Sequence, residues 1–253
     1  MAAEGKIDPM HQFTVEPLVP LHIGPYDVSF TNSSAWMLIT LALIFGFMAL
    51  GMKRELVPGR WQMAVEGLTG FIDDLVKVNI GPKGKAFVPY IFSLFSFILV
   101  SNLLGLLPLS VIPGLHAFTT TSQFSITGVL AVLSFSIVLV VGFWKHGLKF
   151  LKFFVPSGVP VVMLPLLVVI EVISYLTRPL SLSVRLFANM MAGHTMLKVF
   201  GAFVVALGLL GGWAALAFMV AFTGLEILVA FLQAYVFAIL TCIYLNDALH
   251  MHP

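Results

Sequence analysis

Apolar residues fall along this chain in long runs, and the charged ones collect in the gaps between them. Ala35 to Met52 is the first run, about enough to cross ~30 Å of hydrocarbon as a helix. It stops at Lys53-Arg54-Glu55, and Pro58-Gly59 breaks the chain behind it. Ala86 to Leu107 is a second run, ended by Pro108, and Phe124 to Trp144 is a third, closed by Lys145, Lys149 and Lys152. Trp61 to Ile80 has a different pattern. There Trp61, Val65, Leu68, Phe71, Ile72 and Leu75 recur at helical spacing opposite Glu66, Asp73 and Asp74, which predicts an amphipathic helix lying in the interface. Pro108 to Gln123 reads as a loop without a single charge.

The last ninety residues follow another rule. After Pro179 no proline occurs until Pro253, and the main punctuation is Gly211-Gly212. Val159 to Leu210 predicts one long helix of about 75 Å at ~1.5 Å per residue, which must be kinked or strongly tilted in a bilayer. Trp213 to Leu249 is its returning partner. The pattern as a whole predicts an all-α polytopic membrane protein with five to six membrane-embedded helices, the last two a long tilted hairpin. Residues 1–34 form an acidic N-terminal segment, and 35–253 a single membrane domain with spans 35–52, 86–107, 124–144, 159–210 and 213–249 and the interfacial helix 61–80.

Composition agrees. Hydrophobic residues make up 60% and charged ones only 9%, against roughly 25% charged in a soluble domain, too few to cover a water-facing surface. The net charge of +2, with no basic patch interleaved with aromatics, points away from nucleic acid. Cys242 is the only cysteine; it excludes an internal disulfide or an all-cysteine metal site and reads as a packing residue. The lead-in carries Glu4, Asp8, Glu16 and Asp27 against Lys6, with prolines at 9, 17, 20 and 25, unlike the basic flank and cleavage site of a signal peptide. Asn32-Ser33-Ser34 matches a glycosylation sequon. Most of the 13 Lys and Arg lie after the first span or after the third: Lys53, Arg54, Arg60, Lys77, Lys83, Lys85, Lys145, Lys149 and Lys152. By the positive-inside rule those loops are cytoplasmic, and the N-terminus and the 108–123 loop are outside.

Ionisable residues inside spans are costly and suggest an ion path. Here they are Glu171, Arg178, Arg185, His194, Lys198 and Glu226, accompanied by Asn102, Asn189, Gln233 and Tyr244. At about 100° per residue, Ala188, Asn189, Ala192, Met196 and Val199 share the face of Arg185, while His194 and Lys198 lie on the opposite one. Folding the hairpin about Gly211-Gly212 sets His194 near Val229 and Lys198 near Leu225. Glu226 then falls within a turn of His194, and Gln233 comes close to Asn189.

"RLFANMMAGH" (185–194), "PLSLSVRLFANMMAGH" (179–194), "SNLLGLLP" (101–108) and "LEILVAFLQAYVFAILTCIYL" (225–245) together resemble the subunit a family of the F-type rotary ATP synthases. The likeness runs over nearly the whole chain from about residue 10. It implies a non-catalytic stator beside a ring of c subunits, in a complex with b-type peripheral stalk subunits and a soluble catalytic head, embedded in lipid and requiring no cofactor or metal. It implies that Arg185 faces the ring carboxylates, with Asn189 and Gln233 in its neighbourhood, and that His194 and Glu226 line the aqueous path by which protons reach the ring. Some members of the family carry a carboxylate at the position of His194 and a histidine at that of Glu226, so the pair stands here in exchanged order. Glu171, Arg178, Lys198, Asn102 and Tyr244 are candidate half-channel lining.

Arginine suits the central role because it stays protonated when desolvated, whereas a buried lysine can neutralise. A ring carboxylate facing it is biased to ionise and leaves only after taking a proton from a second aqueous pocket. A proton therefore crosses by riding the ring, and the fixed cation blocks a direct leak. Plainer readings stand beside this one. Arg185 pairs with Glu171, fourteen residues back on nearly the same face; Lys198 pairs with Glu226; Asn102 packs or caps a helix. His11, His22, His116, His146, His250 and His252 read as loop or terminal histidines. An independent transporter should show two similar halves, and none is visible. A membrane hydrolase lacks its His-Glu-x-x-His or Gly-x-Ser-x-Gly signature. The expected location is the bacterial plasma membrane in preference to the mitochondrial inner membrane.

Overall fold

The computed structural model describes residues 14–20, 22–23, 26–27, 29–52, 57–107, 118–147, 149–150, 155 and 163–250. Lys6, Lys53, Arg54, Glu55, Lys152, His11, His116, His252, residues 108–117 and the expected helix start at 159–162 lie outside the described residues. Four short strands come first: β1 (Pro17–Val19), β2 (His22–Ile23), β3 (Tyr26–Asp27) and β4 (Phe30–Thr31). Six helices follow: α1 (Asn32–Gly51), α2 (Arg60–Ile80), α3 (Val88–Leu106), α4 (Phe124–His146), α5 (Leu164–Gly208) and α6 (Gly211–Leu249). A 3₁₀ segment, Pro82–Phe87, leads into α3, and another, Thr120–Ser122, precedes α4. Among the described residues, five helices are long and apolar enough to cross a membrane: all but α2.

The described part of the lead-in, from residue 14, is paired as short strands despite its prolines. β1 pairs antiparallel with β4 and β2 with β3. Asn32 closes this ladder: its Nδ2 donates to the Thr14 carbonyl (3.1 Å), its backbone N–H donates to the Glu16 carbonyl (3.0 Å), and its Oδ1 accepts from Glu16 N (3.3 Å). The sequon asparagine is therefore engaged at the start of a helix. That start falls three residues before Ala35, because the Thr31 hydroxyl accepts from Ser34 N (3.4 Å) and so supplies an N-cap.

The chain divides into two compact units. One comprises residues 48–95, 124–185 and 235–253. In it α2 buries Val65, Ile72, Leu75, Val76 and Ile80, as its amphipathic pattern predicts, whereas Trp61, expected on the apolar face, is exposed together with Met63 and Val78. Gly51 seats against Val65, where a Cβ would collide with the valine side chain. Gly81, at φ 80°, ends α2 in the left-handed region, which favours glycine. On the outer face Lys77 pairs with Asp73; the hydrogen bond and charge of Asp73 raise the lysine pKa above its ordinary value. Phe71 lies against Phe95 and Tyr235 (centroids 5.8 and 6.0 Å), and Tyr90 donates its hydroxyl to Ser134 Oγ (2.7 Å). Cys242 is fully buried.

The other unit comprises residues 1–47, 96–123 and 186–234, and it holds the turn between the two long helices. The turn is not at Gly211-Gly212. The helical run breaks at Gly208, at φ 55° and ψ −151°, a conformation essentially reserved for glycine. Gly212 serves close approach instead, since a Cβ there would come within 2.7 Å of the Val204 carbonyl oxygen. The contacts of α5 with α6 step inward from Asn189–Gln233 through Gly193–Glu226 and Phe200–Phe218 to Val204–Gly212. The 45 residues of α5 run about 68 Å, roughly twice the hydrocarbon thickness, so α5 spans a bilayer only with strong tilt or by emerging from it. Leu166, Val169, Ile170, Ile173 and Leu176 along it are exposed, which suits lipid or an apolar partner.

Candidate functional site

The unit that carries the turn gathers most of the polar residues expected in the spans. Gly193 creates the centre of the group, because a Cβ there would collide with Glu226 Oε1. The carboxyl thus lies against the α5 backbone, one residue before His194. Both His194 and Glu226 are buried, and both line a cavity of about 180 Å³ with Leu106, Asn189, Gly193 and Phe222 among its walls. A single water requires roughly 10–15 Å³ by the same measure, so the cavity is large enough for several. Asn189 Nδ2 donates to Gln233 Oε1 (3.1 Å). The expected neighbours, His194 with Glu226 and Asn189 with Gln233, are brought together despite the shifted turn, because a few residues of displacement is about one helical turn and preserves the face.

Asn102 belongs to the same unit. It is fully buried, donating from Nδ2 to the Ala230 carbonyl (3.3 Å) and accepting at Oδ1 from Thr121 Oγ1 (2.6 Å). It thereby ties α3 to α6 and to the turn before α4. That turn shows that residues 118–123, expected as part of a plain loop, are packed inside: Thr119, Thr120, Thr121 and Ser122 are all buried, and Thr119 Oγ1 lies 2.9 Å from His194 Nε2. Sequence reasoning missed Thr119 and Thr121; four consecutive hydroxyl residues in a chargeless stretch were the available signal. Several buried polar atoms of this unit have no hydrogen-bond partner among the described residues, namely Glu226 Oε2, Gln233 Nε2, Thr120 Oγ1 and Ser101 Oγ. Such atoms are rare in proteins and usually mark function or water. Lys198, one turn beyond His194, is half-buried.

Arg178 and Tyr244 join a separate group in the other unit. Arg178 lies 3.5 Å from Asp247 Oδ2, with its guanidinium 5.0 Å from the Tyr175 ring centre and 5.1 Å from that of Tyr244. Asp247 is a third partner that sequence reasoning missed, hidden by its place near the chain end. Nearby, Lys145 donates to the Leu249 carbonyl (2.8 Å), and His250 Nδ1 is 2.8 Å from Asn246 Oδ1. Arg185 ends this unit's share of α5 with its side chain exposed. Among the described residues it makes no hydrogen bond or ion pair, and Glu171 makes none either. The structural pair Arg185–Glu171 is therefore not formed.

Long apolar helices around a buried acid, imidazole and amides define a polytopic membrane protein with a polar interior. The chain matches the family described as ATP synthase A chain over residues 34–246. It is similar to the ATP synthase subunit a of Erythrobacter litoralis (56% identical) and of Zymomonas mobilis subsp. mobilis (51%), each over 100% of both chains. It is 55% identical to that of Novosphingobium aromaticivorans over 99% of this chain and 100% of the relative. The chain belongs to the ATP synthase subunit a family. Its helices and bacterial relatives make it a multi-pass bacterial membrane protein of hydrogen-ion transport in ATP synthesis.

Proposed function

We propose that this chain is the non-catalytic stator of the membrane sector, offering two offset aqueous half-channels to carboxylates carried past it on a ring of c subunits. Arg185 separates the half-channels and biases each arriving carboxyl to ionise. The observation that carries this reading is Arg185 itself, exposed on an apolar helix with no hydrogen bond or ion pair among the described residues. A charge in the membrane interior is costly unless paired, so an anion from another chain is its natural partner. The cavity shared by His194 and Glu226 then serves as the protonated approach to the ring, with Asn189 in its wall and Gln233 hydrogen-bonded to Asn189. Each proton crossing delivers ~2.3 kcal/mol per 100 mV of potential. Asn102 and Lys198 belong to the lining, while Arg178, through Asp247 and Tyr244, ties α5 to the last turns of α6; Glu171 is a lining candidate on α5.

In the assembled complex the ring meets α5 and α6, b-type stalk subunits brace the stator, and the soluble head makes ATP. The basic residues between spans favour a plasma membrane orientation with the N-terminus outside. The test is Arg185→Ala in the whole complex, in inside-out vesicles. ATP-driven proton pumping and ATP synthesis should both be lost, with passive proton conductance once the half-channels connect. Coupled synthesis retained by that variant would refute the proposal.

A further inference from the structure

The turn before α4 enters the site through one atom. Thr119 Oγ1 stands 2.9 Å from His194 Nε2, and both side chains are buried. α3 makes the space for it, since a Cβ on Gly105 would collide with the Thr119 hydroxyl oxygen and crowd its methyl group. The backbone of Thr119 is held from the other side. Its carbonyl accepts from Ser122 N (3.0 Å) and from Ser122 Oγ (2.6 Å). Two residues on, Thr121 donates to Asn102 (2.6 Å), which in turn donates to the Ala230 carbonyl on α6 (3.3 Å). The hydroxyl is thus fixed in place by two helices and a turn, and it does not depend on the imidazole for its position.

The chemistry of that neighbour matters. A neutral imidazole has one N–H and one bare nitrogen, and the cation has two N–H groups, whereas a hydroxyl is both donor and acceptor. By rotating only its hydrogen, Thr119 donates to a bare Nε2 or accepts from a protonated one. A carboxylate at that place accepts only, and a methyl group does neither.

We propose that Thr119 is a positioning residue for His194, its hydroxyl keeping the ring in one orientation at the cavity wall in both protonation states. The inference rests on the reading of His194 as a proton-carrying group and deepens it. With the ring held, taking up and returning a proton requires no heavy-atom movement, and the imidazole is not drawn away from the cavity it shares with Glu226.

The experiment compares Thr119→Val, which keeps the shape without the hydroxyl, with Thr119→Ser, which keeps the hydroxyl and loses a methyl. Both are made in the whole complex, and ATP-driven proton pumping is measured in inside-out vesicles at matched amounts of assembled enzyme. Thr119→Val should pump about tenfold more slowly, the scale of one lost hydrogen bond, while Thr119→Ser stays close to wild type. A residue that merely packs gives the reverse order. That order, or wild-type pumping by Thr119→Val, overturns the proposal. Should Thr119→Val not assemble, Thr119→Ala takes its place, and pumping by it equal to Thr119→Ser is the overturning result. Arg185→Ala in the same vesicles keeps the two levels apart: coupled synthesis there refutes the stator reading, whereas its loss beside normal Thr119→Val pumping refutes this inference alone.

Discussion

Two polar groups sit in the apolar helices of this protein, and they are built on opposite plans. Around Arg178 the charges are matched and supported, by a carboxylate at 3.5 Å and two tyrosine rings with centres at 5.0 and 5.1 Å. The pocket in the same unit, lined by Ser134, Pro179, Thr241 and Tyr244 among others, measures about 10 Å³, the limit for one water. Around His194 and Glu226 the cavity is about 180 Å³, and Glu226 Oε2 and Gln233 Nε2 are buried without a hydrogen-bond partner among the described residues. A closed arrangement of that first kind fixes helices. An open one leaves lone pairs and protons available for exchange, at a cost in stability, which is what the proposed proton path needs.

The comparison can be broken by mutation. The largest effect is expected from removing both groups proposed to exchange protons: His194→Ala combined with Glu226→Ala should abolish proton pumping in vesicles while the complex still assembles. Near-normal pumping would remove the pair from the path and with it the contrast. Asp247→Asn should act oppositely, lowering the thermal stability of the assembled complex by up to about 1 kcal/mol, as for a partly exposed ion pair, with pumping little changed. If instead it pumps as poorly as the double variant, the Arg178 group also carries ions and the two plans collapse into one. The smallest effect belongs to Asp73→Asn on α2. The raised Lys77 pKa means that the pair stabilises below the ordinary lysine pKa and fades as pH rises through the folded one. Because Lys77 is fully exposed, neither melting nor pumping should change measurably near neutral pH.

Much of this was legible without coordinates. Runs of about twenty apolar residues identify spans because the bilayer sets their length, and the α2 period separates an interfacial helix from a crossing one. An antiparallel return also brings Glu226 and Gln233 to the right turns, whereas Asn189, expected on the face opposite His194, lines the same cavity as the histidine. The register tolerated an error in the bend because side chains a turn apart share a face.

What the sequence determined by itself is therefore whatever follows from local period and medium: an all-α membrane protein, its apolar spans and the family resemblance carried by the segment around Arg185. Tertiary structure alone decided the rest. The bend at Gly208, Gly105 and Gly193 as the sites that admit Thr119 and Glu226, the burial of the hydroxyl turn, and Asp247 as the partner of Arg178 all depend on contacts between segments distant in the chain. No periodicity encodes those contacts, because a glycine that permits close approach and a glycine that permits a bend are the same letter until the neighbouring backbone is in place.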